Sequence, residues 1–201
     1  MEMLVADLEG VFLPEIWINV ALKTGIEELK LTTRDISDYN VLMTRRLAIL
    51  KENNLKIQDI RDVIATLAPL EGAKEALDWI RSRYQIIILS DTFEEFARPL
   101  MAKLGFPTLL CHSLTLDGQG NIADYNLRIE NQKMKAVQAL KGLNYHVTAF
   151  GDSYNDIDMI QAADQGFFFK PPEAVVTDFP GIPVTRNYEE LKNMIHSLLQ
   201  S

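Results

Sequence analysis

The sequence has 201 residues, 47% hydrophobic and 24% charged, enough for one substantial core with room for an inserted subdomain. Its 28 acidic and 20 basic residues give a formal net charge of -8, which provides no basic footprint for nucleic acid or an anionic membrane and means that an anionic substrate needs local positive charge. No apolar run approaches the roughly 20 residues of a membrane span, the opening MEMLVADLEG lacks the pattern of a secretion signal, and the single cysteine, Cys111, excludes an intrachain disulfide, so a reducing cytoplasm is the expected setting.

The opening run Met3-Leu4-Val5-Ala6 reads as a buried parallel strand that stops at Asp7 and Glu9, spaced i, i+2, before Gly10. Alone, two such acids more often end a strand or cap the next helix than make a site. Helices are expected over 14–24, opened by Pro14 and stopped by Gly25, then over 39–52 and 58–67, with Asp35 and Asp38 as candidate caps in the polar stretch between the first two. No strand candidate falls between Leu13 and Ala68.

The strand pattern resumes after Pro69-Leu70-Glu71-Gly72. A helix over 73–82 leads into a β-branched strand over 85–91 that ends in Ser90 and Asp91, and a helix over 92–104 follows with Thr92 as its cap. A short strand over 107–111 and an alternating stretch over 113–117 precede Gly118-Gln119-Gly120-Asn121, and with 122–129 returning they predict a hairpin. Then come a helix over 131–140, a strand over 146–150 ending in Gly151-Asp152-Ser153-Tyr154-Asn155-Asp156, a helix over 159–163, a strand over 166–169, a Pro171-Pro172 turn and a helix over 188–199. The rhythm is that of a doubly wound, mainly parallel α/β sheet with a small helical cap inserted after the first strand, which divides the chain into a core of 1–12 and 69–201 and a cap of 13–68.

Three parallel-strand ends carry Asp7/Glu9, Ser90/Asp91 and Asp152/Asn155/Asp156, and in an open α/β sheet such ends lie along one crevice. Carboxylates converging without histidine or cysteine ligands suit a hard cation such as Mg²⁺. With phosphate charge neutralised by that cation, Asp7 could act as a nucleophile and form an aspartyl-phosphate.

Asp7-Leu8-Glu9-Gly10-Val11, Ser90, Lys133 and Gly151-Asp152-Ser153-Tyr154-Asn155-Asp156 resemble the four ordered motifs of the haloacid dehalogenase superfamily of phosphohydrolases. The insertion after the first motif, the 69–72 junction, the hairpin and the helix bearing Met43 to Leu50 are similar to its phosphoserine phosphatases. The stretches Pro14-Glu15-Ile16-Trp17 and Leu89-Ser90-Asp91-Thr92-Phe93 are similar to those members that also pass phosphate to homoserine.

The resemblance implies that Asp7 attacks phosphorus and that Asp7, the Glu9 main-chain carbonyl and Asp152 hold Mg²⁺. It implies that Ser90, the Asp91 amide, Lys133 and Asn155 bind the phosphoryl group, with Asp156 behind them. It gives Glu9 the acid/base role, Arg46 a grip on the substrate carboxylate and Glu15 contact with the ammonium of a small phosphorylated amino acid.

Two departures stand out: Glu9 replaces the usual aspartate, its extra methylene shifting the carboxyl by about one bond, and Asp91-Thr92 replace small glycines. On ordinary expectations Arg46 and Glu15 would sit on solvated helix faces and Lys133 and Lys135 at the surface; the ordered motifs set Lys133 apart. His112, His146 and His196 lack metal-ligand spacing and are not expected to be catalytic, and Cys111 in an apolar strand reads as packing. Two readings compete: another small phosphomonoester as substrate, or a phosphoacceptor signalling module, which would leave Glu9, Arg46 and Glu15 without work. Oligomeric state stays open, a homodimer included.

Overall fold

Leu4 and Ala6 face one side of the first strand and Met3 and Val5 the other, and both sides are buried, because helices cover the sheet on each face. The structure, a computed structural model, describes residues 1–33, 35, 36 and 38–199. The strands are Glu2–Ala6 (β1), Gln85–Phe93 (β2), Leu109–Leu116 (β3), Ile122–Asn126 (β4), His146–Gly151 (β5), Gln165–Phe169 (β6) and Val184–Thr185 (β7). They form one sheet in the order β4-β3-β2-β1-β5-β6-β7, parallel throughout except for the antiparallel β3–β4 hairpin.

Helices Ile16–Thr24 (α1), Tyr39–Glu52 (α2) and Ile57–Ala65 (α3) lie between β1 and Ala73–Arg81 (α4) in the chain. Then come Glu94–Lys103 (α5), Gln132–Gly142 (α6), Ile157–Ala162 (α7), Glu173–Asp178 (α8) and Tyr188–Leu199 (α9). The larger core joins one sheet face to α4, α5, α9 and the apolar stripes of α1 to α3, whereas α6 and α7 pack on the other through Val137 and Met159. Where the first inserted segment leaves and the last returns, Leu70 N donates to Phe12 O at 3.0 Å.

The inserted helices are tied to the sheet by polar contacts as well. Pro99 lies within α5 and has no N–H to give the carbonyl of Glu95, four residues back. Arg61 Nε of α3 donates to that carbonyl at 3.4 Å. Tyr39, at the start of α2, donates its hydroxyl to Asp91 O at 2.7 Å, and Tyr125 of the hairpin donates to Asn40 Oδ1 at 2.7 Å.

Helices α2 and α9 have the bounds their patterns predict, and Asp38 caps α2 by accepting from Asn40 N and Val41 N. Thr92 is not a helix cap: β2 continues through it to Phe93, which pairs with His112, and α5 starts only at Glu94. The β-branched and aromatic side chains extend the strand at the expense of the helix. The expected strand over 107–111 and the alternating stretch over 113–117 are one strand, β3, and the return strand ends at Asn126. Asn131 is the left-handed residue before α6, with φ 47°, rather than its first turn. The 3-10 turns at Glu27–Lys30 and Tyr154–Asp156, the helix α8 and the two-residue β7 are too short to carry a period and were not expected.

Candidate active site

The register sets the site. Ala6 stands beside Ile88 and Phe150, so Asp7, the Ser90–Asp91 pair and Asp152 all emerge at the same edge of the three central strands. Asp7 N still donates to Phe150 O at 3.0 Å, which carries β1 pairing one residue past the strand. A small polar cavity is lined there by Asp7 and Glu9 from the first motif, Glu15, Trp17 and Arg46 from the inserted segment, and Ser90, Asp91, Asp152 and Asn155 from the later strand ends.

Lys133, 3% exposed at the start of α6, lies among the carboxylates. Its Nζ donates to Asp7 Oδ1 at 2.8 Å and to Asp156 Oδ1 at 2.7 Å, and stands 3.9 Å from Asp91 Oδ2. Burial alone would strip its proton, but Asp156, Asp7 and Asp91 hold that proton on and lift the pKa well above the ordinary lysine value. Burial pushes Asp7 the opposite way for an acid, well above the usual carboxylate range, reinforced by Asp156 and Asp152 and only partly offset by Lys133. A cluster short of positive charge is what a cation would correct.

Asp7, Asp152 and Asp156 offer oxygens all within 4.8 Å of one another, an oxygen-only donor set of the kind Mg²⁺ takes. Asp156 is already engaged: Oδ1 accepts from Lys133, and Oδ2 accepts from Asp152 N at 2.9 Å and Ser153 N at 3.1 Å. It therefore braces the Asp152 loop. Two glycines make the close approach feasible. A Cβ on Gly10, whose φ is 78°, would lie 2.4 Å from Asp152 Oδ2, and one on Gly151 would lie 2.2 Å from Asp156 Cγ. The residues present fit a divalent cation at this point.

Glu9 turns its side chain to the first turn of α1, where Oε2 accepts from Ile16 N at 2.7 Å. Burial chiefly, and then the charge of Glu15, push its carboxyl up to about 7, against the opposing pull of Ile16 N–H, Arg46 and the Thr92 side chain. Arg46 is 6% exposed, with Cζ 4.6 Å over the Trp17 ring and Nη2 donating to Leu31 O at 2.8 Å. Its Nε is buried and has no hydrogen-bond partner among the described residues. Burial lowers its pKa to about 10 in spite of Tyr39, Glu9 and Glu15.

Ser90 is buried, and its Oγ accepts from Thr92 N at 3.3 Å. Asn155 sits in the 3-10 turn with Nδ2 donating to Asp91 Oδ2 at 3.1 Å and Oδ1 accepting from Ser153 Oγ at 2.6 Å. Burial would raise the Asp91 carboxyl, but Lys133 and the donors His112, Asn155 and Gln132 outweigh it and hold it well below the usual range. The ten residues singled out from the sequence thus meet in one place. Trp17, Gln132 and His112 were not singled out as site residues, since no spacing links them to the strand ends. His146 pairs with Glu2 at 2.8 Å and His196 lies on α9, while burial pushes the Cys111 thiol up to about 11, followed by Glu94 and Glu95.

A doubly wound sheet with this row of strand-end acids, a buried lysine and an inserted helical segment defines a class of phosphoryl-handling hydrolases. Residues 6–164 match the family model of haloacid dehalogenase-like hydrolases, and the chain belongs to that family. It is 56% identical over 192 residues to phosphoserine phosphatase ThrH of Pseudomonas aeruginosa, covering 96% of this chain and 94% of that protein. It is 54% identical over 192 residues to a phosphoserine phosphatase of Pseudomonas syringae pv. tomato, covering 96% and 81%. Among solved structures, a phosphoserine phosphatase in apo form superposes with a TM-score of 0.78 at 21% identity, covering 96% of this chain and 98% of that one. A phospho-aspartyl intermediate analogue of phosphoserine phosphatase gives 0.77 at 21% identity with the same coverage.

Proposed function

We propose that this chain is a Mg²⁺-dependent phosphoserine phosphatase that works through an aspartyl-phosphate on Asp7 and also transfers phosphate from phosphoserine to homoserine. The observation that carries the reading is that one small cavity is lined both by Asp7 and by Arg46, a buried guanidinium whose Nε has no hydrogen-bond partner among the described residues. The guanidinium lines that cavity, where a substrate carboxylate can pair with it and offset the cost of its burial. The high identity to proteins named phosphoserine phosphatase points the same way.

The Asp7 and Asp152 carboxylates and the Glu9 main-chain carbonyl would hold Mg²⁺, which when bound would supply positive charge to offset the phosphate and its repulsion of Asp7. In this reading an Asp7 carboxylate oxygen forms a bond to phosphorus while the bond from phosphorus to the serine oxygen breaks. Glu9, with its carboxyl near 7, delivers its proton to the departing serine oxygen. Lys133, Ser90, the Asp91 amide and Asn155 face the phosphoryl oxygens and spread their charge as it develops. In the second half, Glu9 takes the proton from water or from the homoserine hydroxyl, whose oxygen displaces Asp7 from phosphorus.

Arg46 grips the carboxylate and Glu15 the ammonium, both of which serine and homoserine share. The extra methylene of homoserine costs about 1 to 3 kcal/mol in a pocket shaped for serine. In this proposal residues 13–68 form the lid that brings Glu15 and Arg46 over the core of 1–12 and 69–201. The test is phosphorus NMR of phosphoserine with Mg²⁺, with and without excess L-homoserine. Inorganic phosphate in both samples, with O-phosphohomoserine appearing at its expense in the second, supports the reading. Phosphate alone in both removes the transferase half, and unchanged phosphoserine removes the whole.

A further inference from the structure

Gln132, the first residue of α6, is 1% exposed, and His112 of β3 is 5% exposed, yet the reaction described above gives neither a part. Gln132 Nε2 donates to Ser90 O at 2.5 Å and to Asp91 Oδ1 at 3.2 Å. Its Oε1 accepts from Arg128 Nη2 at 3.2 Å, which fixes which way the amide faces, since the flipped amide would set two oxygens together at Ser90. His112 Nδ1 accepts from Arg128 N at 3.2 Å, and its Nε2 lies 3.3 Å from Gln132 Nε2 and 3.6 Å from Asp91 Oδ1. The other oxygen of Asp91 meets Asn155 Nδ2 at 3.1 Å and stands 3.9 Å from Lys133 Nζ.

One carboxylate therefore joins the three elements that bear Ser90, Lys133 and Asn155, with Gln132 bonded to it from behind and His112 set against both the Gln132 amide and that carboxylate. A buried amide and imidazole cost free energy relative to apolar side chains unless their hydrogen bonds are used, and here those bonds converge on the phosphoryl-binding corner. We propose that Gln132 and His112 are positioning residues for phosphoryl transfer, acting through Asp91 to set Ser90, Lys133 and Asn155 against the phosphoryl group. The proposal rests on the phosphoryl-transfer reading of the site, and it holds for any phosphomonoester because neither residue reaches toward Arg46.

The test compares wild type, Gln132→Met, His112→Phe and the double variant with phosphoserine and with p-nitrophenyl phosphate, alongside thermal melting. Methionine keeps the length of glutamine without its polar atoms, and phenylalanine suits a position already packed beside the rings of Phe93 and Tyr39. Each single variant should lose kcat by about tenfold to a hundredfold on both substrates, the scale of a small misplacement of reacting groups. The KM ratio of the two substrates should stay that of wild type. The double variant should lose no more than the worse single one, because both act through Asp91, and His112→Gln, which restores a donor, should recover part of the rate.

Single variants within twofold of wild type would overturn the proposal. So would losses that multiply in the double variant, or a loss in His112→Gln equal to that in His112→Phe. If one variant melts too low to assay, the other decides. Wild type that turns over p-nitrophenyl phosphate but not phosphoserine would refute the substrate assignment while leaving this comparison intact.

Discussion

Lys133 Nζ lies between Asp7 Oδ1 at 2.8 Å and Asp156 Oδ1 at 2.7 Å, so one buried ammonium joins the end of the first strand to the loop after the fifth. Removing it leaves two buried carboxylates facing each other without a counter-charge. Lys133→Ala should therefore destabilise the fold by about 3 to 5 kcal/mol, read as a lower urea midpoint, and should depress turnover of phosphoserine and p-nitrophenyl phosphate alike. Sparing either substrate would contradict a role at the phosphoryl group they share.

The role proposed for Arg46 lies at the other end of the substrate. Arg46→Ala should weaken kcat/KM for phosphoserine by about 2 to 5 kcal/mol, while p-nitrophenyl phosphate, which has no carboxylate, is much less affected. Equal losses on the two substrates would remove Arg46 from recognition and leave it a structural partner of Trp17 and Leu31.

Gly10 is the tightest point of the proposed metal site. Gly10→Ala places a methyl group 2.4 Å from Asp152 Oδ2 at a backbone φ of 78°, so the Asp152 carboxylate must move. The expected outcome is an Mg²⁺ requirement raised by about tenfold or more in a titration of activity against metal, with Asp152→Asn shifting the same curve in the same direction. Unchanged Mg²⁺ dependence in both variants would place the metal elsewhere.

Glu9→Gln keeps the length of the side chain and removes its proton chemistry. It should slow phosphate release and homoserine transfer together, by about a hundredfold, because the same carboxyl serves both. A variant that loses hydrolysis but keeps transfer would assign the base for homoserine to another group.

The sheet edge was legible in the sequence because acids and a serine end apolar runs, and a parallel sheet aligns such ends whatever their separation along the chain. Arg46 was singled out only through resemblance, although it lies on the buried face of α2 with Leu42, Met43, Ile49 and Leu50 while Arg45 is exposed, because a charged residue inside an apolar stripe reads first as a solvated side chain. Gln132 meets Ser90 across 42 positions, and nothing in local pattern signals such a contact. Thr92 was misread because strand-extending and helix-capping roles compete for threonine, and pairing with β3 decided between them.

In the proposed reaction, phosphate passes through Asp7 on its way from phosphoserine. The most direct measurement is phosphate release from phosphoserine under saturating Mg²⁺ by wild type and by Asp7→Asn, with circular dichroism confirming that both are folded. Steady release is expected from the wild type and none above background from the variant, whose amide is neither a nucleophile nor a charged ligand. Release by Asp7→Asn within about tenfold of wild type, only some 1.4 kcal/mol of barrier, would contradict it.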